Sequence, residues 1–388
     1  MKIGIVLPAL PSYSETFFEN KINGLQKHGH TVVLFVNNSN NDNFYNNCNV
    51  IKAPKLSGNK LKVSLVILKQ MFYAILNLKR NLKLFKLNKK DNLSFLLNIK
   101  QIISNQFLMN EKLDWLHFGF GTMAIGRENI AKAINAKMAV SFRGFDYYVY
   151  PLKNEDCYKI LFSKNVKYHV LSNAMKYGLA KQSIPELSIV KITPAINFDL
   201  FSAMINTNDI NKTQFTTISR LHYIKGLEYV LEALSILKKD GLDFHFTIIG
   251  EGKEKERLVF ATHQLGLTNN VIFAGKLPPE KVKEELTKTD IYLQYSIQEG
   301  FCNAVLEAQA MGLLCVVSDA EGLSENVLDK ETGFVVPKQN SQLLFKKLKE
   351  VIHLPETQKQ KIKQMAIERV RKEFNLEKQQ QEFLEFYK

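Results

Sequence analysis

The sequence predicts an α/β protein in two halves, each built on a parallel sheet. Three observations carry this. Apolar runs of strand length alternate with helical patterns from Lys2 to Leu171, and the alternation returns, more regularly, from Phe215 to Val336. Strands that alternate with helices form parallel sheets. The length of 388 residues calls for two or three domains, each able to bury a core, and 45% apolar with 23% charged residues is ordinary for a globular chain.

In chain order, the first half opens with a strand over Lys2–Leu7, a helix over Ser14–Lys27 and a strand over Thr31–Val36. The asparagine-rich stretch Asn37–Asn49 reads as a polar loop. Residues 60–110 read as two or three basic, apolar-rich helices. Strands follow near Trp115–Phe118, Met138–Phe142 and Lys167–Leu171. A polar join from Thr193 to Asn211, with Pro194, leads to the second half. Its strands are Phe215–Ser219, Phe244–Ile249, Val271–Ala274, Ile291–Tyr295, Leu314–Ser318 and Gly333–Val336. The helix over Lys225–Lys239 keeps Leu227, Val230, Leu231, Leu234 and Leu237 on one face and stops at Gly241. Pro355–Lys388 reads as one long amphipathic helix.

The chemistry concentrates where strands end. Glu299-Gly300-Phe301-Cys302-Asn303 follows a strand and opens a helix that contains Glu307. In open α/β sheets ligands bind in the crevice at the carboxyl ends of the strands. Two carboxylates there would repel phosphate, so they address hydroxyls. Arg220, at the end of the first strand of this half, and Lys225, at the following helix, supply a cation pair. With a helix N-terminus they make a diphosphate cradle. Hydroxyl readers beside a diphosphate cradle describe a nucleotide-sugar site. Gly250-Glu251-Gly252, after the next strand, is a tight turn that lets backbone approach a ligand.

At these residues the chain resembles the retaining glycosyltransferases of family 4, which have the GT-B fold. Their paired glutamates have seven residues between them, as Glu299 and Glu307 do, and their Arg and Lys stand five positions apart, as Arg220 and Lys225 do. The resemblance implies two Rossmann-like doubly wound domains facing each other across a cleft. These would be an acceptor domain over residues 1–195, a nucleotide-sugar domain over 212–370, and a final helix over 371–388 that crosses back to pack Phe383, Phe386 and Tyr387 on the first domain. It also implies that Glu299 lies near the donor sugar, that Glu307 holds the ribose, and that Gly300, Phe301, Cys302 and Asn303 approach the sugar and phosphates. Asn303 is equally readable as an N-cap. Lys276 and Leu277 fall where the family binds the nucleobase.

In the first half, Ser14 lies in a Ser-Glu-Thr turn found in part of the family, and equally reads as a helix cap. Ser141-Phe142-Arg143-Gly144-Phe145-Asp146 resembles a motif that commonly reads His-Gly-x-Asp. Arg143 replaces that histidine, and arginine transfers no proton near neutral pH. His117 is a substitute candidate, or a strand histidine without chemistry.

The net charge of +14 is uneven. Residues 1–200 hold 27 Lys and Arg against 12 Asp and Glu, and residues 51–90 hold 11 basic and no acidic side chains. Such asymmetry calls for an anionic partner of the first half. With apolar residues between the lysines, the expected partner is an anionic membrane surface, or else these helices are plain domain packing. No nucleic-acid motif is present. The four cysteines have no metal spacing, no Asp-x-Asp occurs and no apolar stretch reaches membrane-spanning length, so the expectation is a reduced, cytoplasmic, peripheral enzyme without metal or other cofactor. It would transfer a sugar to a lipid-linked or saccharide acceptor in surface-polysaccharide assembly. The alternatives are a nucleotide-sugar epimerase of the same fold and an inactive sugar-nucleotide-binding scaffold.

Overall fold

The computed structural model describes residues 1–11, 16–38, 44–202 and 212–388. The Ser14 turn, the middle of the expected Asn37–Asn49 loop and the end of the join to Asn211 lie outside the described residues. The chain divides into two compact units, Met1–Ile192 with Gln380–Lys388, and Thr193–Gln379.

The first unit is built on eight strands: β1 (Lys2–Ala9), β2 (Thr31–Asn38), β3 (Phe44–Tyr45), β4 (Cys48–Lys52), β5 (Trp115–Phe118), β6 (Lys137–Ser141), β7 (Lys167–Val170) and β8 (Ile189–Lys191). Their order is β3-β4-β2-β1-β5-β6-β7-β8, so the winding reverses between β1 and β5. All pairings are parallel except the short β3–β4 hairpin. That hairpin corrects the expected polar loop over Asn37–Asn49. Asn46 and Asn47 both take positive φ, the turn that matches strand twist, and Cys48 and Val50 turn inward beside β2. Asparagines that looked like a loop composition are therefore turn residues. Beside the sheet run helices α1 (Thr16–Lys27), α2 (Lys60–Leu76), α3 (Leu78–Lys90) and α4 (Phe95–Ser104).

The second unit has six strands, all parallel: β9 (Thr213–Ile218), β10 (Phe244–Ile249), β11 (Val271–Gly275), β12 (Ile291–Gln294), β13 (Leu314–Ser318) and β14 (Phe334–Val336). The order β11-β10-β9-β12-β13-β14 reverses between β9 and β12. Helix α5 covers Leu227–Lys239, not Lys225–Lys239, because Tyr223–Lys225 form a separate 3₁₀ turn. Its apolar face, Leu227, Val230, Leu231, Leu234 and Leu237, is buried in the core with Phe215, Phe246 and Leu293. Each such side chain contributes about 2 kcal/mol relative to exposure.

The long C-terminal helix is two: α7 (Glu356–Glu373) and α8 (Leu376–Phe386), with α6 (Asn303–Ala310) earlier in the chain. The break comes where Phe374 leaves helical geometry and its carbonyl, with Asn375, bridges to Ile196. Phe383, Phe386 and Tyr387 enter the core of the first unit, where the Trp115 indole N–H donates to the Tyr387 carbonyl at 2.9 Å.

Candidate active site

The winding reversal between β9 and β12 opens a crevice at the carboxyl ends of those strands. The loops that bound it are bonded to one another. After β9, Lys225 closes the 3₁₀ turn and Gly226 follows at φ 62°; a side chain at 226 would meet the Tyr295 carbonyl at 2.2 Å. The Ile297 N–H donates to the Ile224 carbonyl at 2.7 Å, which joins this turn to the loop after β12. Gly226 therefore fixes where Lys225 stands.

Lys225 and Glu299 form an ion pair with side chains only 12% and 13% exposed. The Ser296 hydroxyl donates to the same Glu299 carboxylate at 3.3 Å. The two charges assigned to different tasks in the sequence thus meet directly, and together they face the crevice as one unit. Arg220 does not end the strand as expected. It lies two residues past Ile218, is exposed, and keeps its guanidinium in water at the edge of the same loop.

Glu307 sits on α6, and no hydrogen bond to its carboxylate is present among the described residues. It is half-buried, and that burial pushes its pKa up to about 7. Asn303 is the first residue of α6 and Cys302 precedes it as the cap, so the N-cap reading of Asn303 is corrected. Phe301 packs on Phe374 at 5.6 Å between centroids, which leaves the backbone of Gly300 to Asn303 as the polar surface of the turn.

The glycines of the second loop serve the first. Gly250 has φ 141°, and a side chain there would strike the Ser219 carbonyl at 1.9 Å. Backbone bonds from Leu221 to the Glu251 carbonyl and from Gly250 to the Gly275 carbonyl then tie three loops into one rim. Lys276 is exposed and Leu277 half-buried on that rim, directly after Gly275.

Several positioning residues escaped the sequence. The Asn326 amide is fully buried and clamps Cys302 from both sides, accepting from its N–H and donating to its carbonyl, each at 3.0 Å. Glu321 accepts from the Glu299 N–H at 3.2 Å and pairs with Lys338 at 3.0 Å. No local signal in the sequence marks Asn326, which follows Ser324 and Glu325. Asn326→Ala is expected to cost about 2–4 kcal/mol, because two buried backbone groups lose their partner; urea unfolding checks this, and a change below about 0.5 kcal/mol would remove the clamp.

In the first unit, His117 is fully buried, not at a cleft surface. Its ring bonds Lys21 at 3.1 Å, the Tyr387 hydroxyl at 2.6 Å and Ser141 at 2.8 Å, and Ser141 continues to His169 at 2.7 Å. Burial drives both His117 and Lys21 well below their ordinary values. This chain of groups anchors the last residues of the protein, which corrects the reading of His117 as a base reachable by an acceptor. Asp146 is also buried and accepts from the N–H groups of Gly121 and, at 2.8 Å, Arg143. Burial pushes its pKa up to about 7. It therefore joins the loops after β5 and β6. The Arg143 guanidinium lies 3.7 Å from the centroid of the Phe17 ring, with Phe18 and Phe120 also beneath it. All four cysteines are free, and no group of three metal-type side chains occurs among the described residues.

Residues 203–369 match the family described as glycosyl transferases group 1. This stretch is similar to group 1 glycosyl transferases. Among curated relatives, the chain is 27% identical over 238 residues to the amylovoran biosynthesis glycosyltransferase AmsK of Erwinia amylovora, covering 59% of this chain and 58% of that protein. It is 26% identical over 267 residues to the putative colanic acid biosynthesis glycosyltransferase WcaL of Escherichia coli, covering 67% and 66%. The matched stretches thus span about three fifths to two thirds of these relatives. Among solved structures, HepE of Anabaena in complex with UDP-glucose matches with a TM-score of 0.70 at 14% identity, covering 99% of this chain and 98% of that one. The likeness shows a GT-B fold of two Rossmann-like domains.

Proposed function

We propose that this protein is a retaining, metal-independent glycosyltransferase of polysaccharide biosynthesis. It takes a sugar from a nucleotide diphosphate and passes it to a lipid-linked or saccharide hydroxyl at an anionic membrane surface. The observation that carries the reading is the Lys225–Glu299 pair at the β9–β12 reversal, with the desolvated Glu307 on the next helix. The polysaccharide-biosynthesis roles of AmsK and WcaL and the UDP-glucose held by HepE support the same substrate class.

On this reading Glu307 accepts from the ribose hydroxyls and so exchanges a costly buried carboxylate for a bonded one. Glu299 accepts from donor-sugar hydroxyls, and Lys225 turns from Glu299 toward the diphosphate as its charge grows. Arg220 and the α6 amides share that charge. The leaving phosphate takes the acceptor proton, so a general base at Arg143 or His117 is not required.

A panel of nucleotide sugars, with lipid extract as acceptor and mass spectrometry of products, tests the class. Transfer or slow donor hydrolysis supports it, whereas an epimerised sugar or binding alone would overturn it. Product NMR decides retention. Activity is expected to survive full chelation, since two cations and a helix N-terminus serve the phosphates. Loss in EDTA with recovery in Mg²⁺ or Mn²⁺ would reject that part.

A further inference from the structure

Helices α2, α3 and α4 are built inside out. The buried residue of α2 is Gln70; those of α3 are Asn81, Leu84 and Asn88; those of α4 are Asn98 and Ile102. Asn81, Asn88 and Asn98 join a buried amide network with Gln106 and Asn129. Asn88 donates to Asn98 at 3.0 Å, Asn129 to Asn88 at 2.9 Å, and Gln106 to Asn81 at 2.9 Å. Meanwhile Leu61, Leu65, Leu68, Phe72, Ile75 and Leu76 of α2 are each at least 59% exposed. The first five fall at successive steps of three or four residues, one stripe about 21 Å long on the outward face. Leu78 and Leu82 of α3 and Phe95 and Leu96 of α4 are exposed as well. In a water-soluble helix the apolar stripe faces the core and the amides face out. Here the stripe of α2 and the buried amides are on the wrong side for water, and a contiguous exposed apolar face marks an interaction surface.

We infer that α2–α4 is a wedge that inserts its apolar face into the leaflet of an anionic membrane and lies in the interface. No single helix among the described residues is long and apolar enough to cross, and α2 and α3 are bent by 97° to each other. At 17 residues α2 reaches about 25 Å, short of the roughly 30 Å hydrocarbon layer. The occupant is fixed by charge. Residues 51–90 carry 11 basic and no acidic side chains, and Lys60, Lys62, Lys69, Lys79 and Lys86 are exposed beside the stripe. A second copy of the chain would bring two such fields together, whereas anionic head groups complement one. The inference deepens the membrane-surface reading above and rests on it. It also changes which residues matter. The Arg80 guanidinium donates to the Met109 and Glu111 carbonyls, and Lys83 bonds Asn135, so those two serve packing as well as charge.

The test uses the full chain with phosphatidylcholine vesicles, with and without about one third phosphatidylglycerol. The protein is expected to sediment with the anionic vesicles and to stay bound in about 0.5 M NaCl, where purely electrostatic contacts are screened. Leu65→Ser, Leu68→Ser, Phe72→Ser and Ile75→Ser together should weaken binding at least about a hundredfold while unfolding and UDP affinity stay unchanged. A separate Phe72→Trp variant should add blue-shifted emission on vesicles, quenched by brominated acyl chains. Binding that salt abolishes and the serine variant retains overturns the wedge and leaves peripheral attachment standing. No binding to either vesicle overturns both. A wild-type dimer that the serine changes make monomeric, without vesicle binding, assigns the face to self-association and overturns the inference. UDP titration reads the donor site separately, so failure there is distinguishable from failure of the wedge.

Discussion

Lys225→Ala is expected to lower the turnover of sugar transfer at least about a hundredfold, with a smaller change in donor KM. The ammonium stands on a turn fixed by Gly226 and pairs with Glu299, both side chains being largely buried. A preorganised cation aimed at a departing diphosphate acts where charge grows, so its loss falls on kcat; a single such contact is commonly worth about 3 kcal/mol. Among the described residues, alanine also leaves the Glu299 carboxylate with the Ser296 hydroxyl as its remaining side-chain hydrogen bond, which costs stability. Adding Glu299→Gln should recover the stability but not the turnover, which separates the two roles. Arg220→Ala should lower kcat similarly without the stability loss, because Arg220 is exposed. Near-normal kcat in both single variants would remove the diphosphate cradle from this crevice.

Glu307→Gln is expected to weaken donor binding by about 1–3 kcal/mol at pH 8, with little difference remaining at pH 6. With a pKa of about 7, wild-type Glu307 is ionised at the higher pH and protonated at the lower. Only the carboxylate accepts from two ribose hydroxyls at full strength, so wild-type affinity should rise between these pH values and the Gln variant's should not. Stability runs the other way. Between an unfolded value near 4.5 and the folded value near 7, the folded protein holds a proton that the unfolded chain releases, so stability falls as pH rises. Glu307→Gln should therefore be more stable than wild type above pH 7, by roughly 1–3 kcal/mol, and equal to it below pH 4.5. Calorimetric UDP titration and urea unfolding at both pH extremes check the pair. A wild-type affinity flat across pH 6–8 would remove Glu307 from the ribose.

Much of the second unit was legible because its information is local. Each of its six strands lies on an apolar run, and the loop from Glu299 to Cys302 falls between β12 and α6 as its order requires. Boundaries moved where backbone geometry intervened. Lys225 belongs to a 3₁₀ turn because Gly226 needs positive φ, and the final helix breaks at Phe374. The first unit was harder. The pair Asn46 and Asn47 reads as loop by composition, and its role as a hairpin turn depends on β4 finding β2, which adjacent residues do not announce.

The sequence by itself determined the two α/β halves, the placing of Glu299 after a strand and of Glu307 in the helix that follows, and the basic character of residues 51–90. Spacing and composition are properties of neighbouring residues and survive without a fold. Only the tertiary structure decided that Lys225 and Glu299 pair, that Asn326 clamps Cys302, and that His117 is closed inside a network with Lys21, Ser141 and Tyr387. Above all it decided which way α2–α4 face. Periodicity locates a helix's apolar stripe but carries no information on whether protein, water or lipid lies against it. That is settled by the partners the fold supplies, and here the fold buries Asn81, Asn88 and Asn98 beside Leu84 and Ile102 and leaves the leucine stripe of α2 outside.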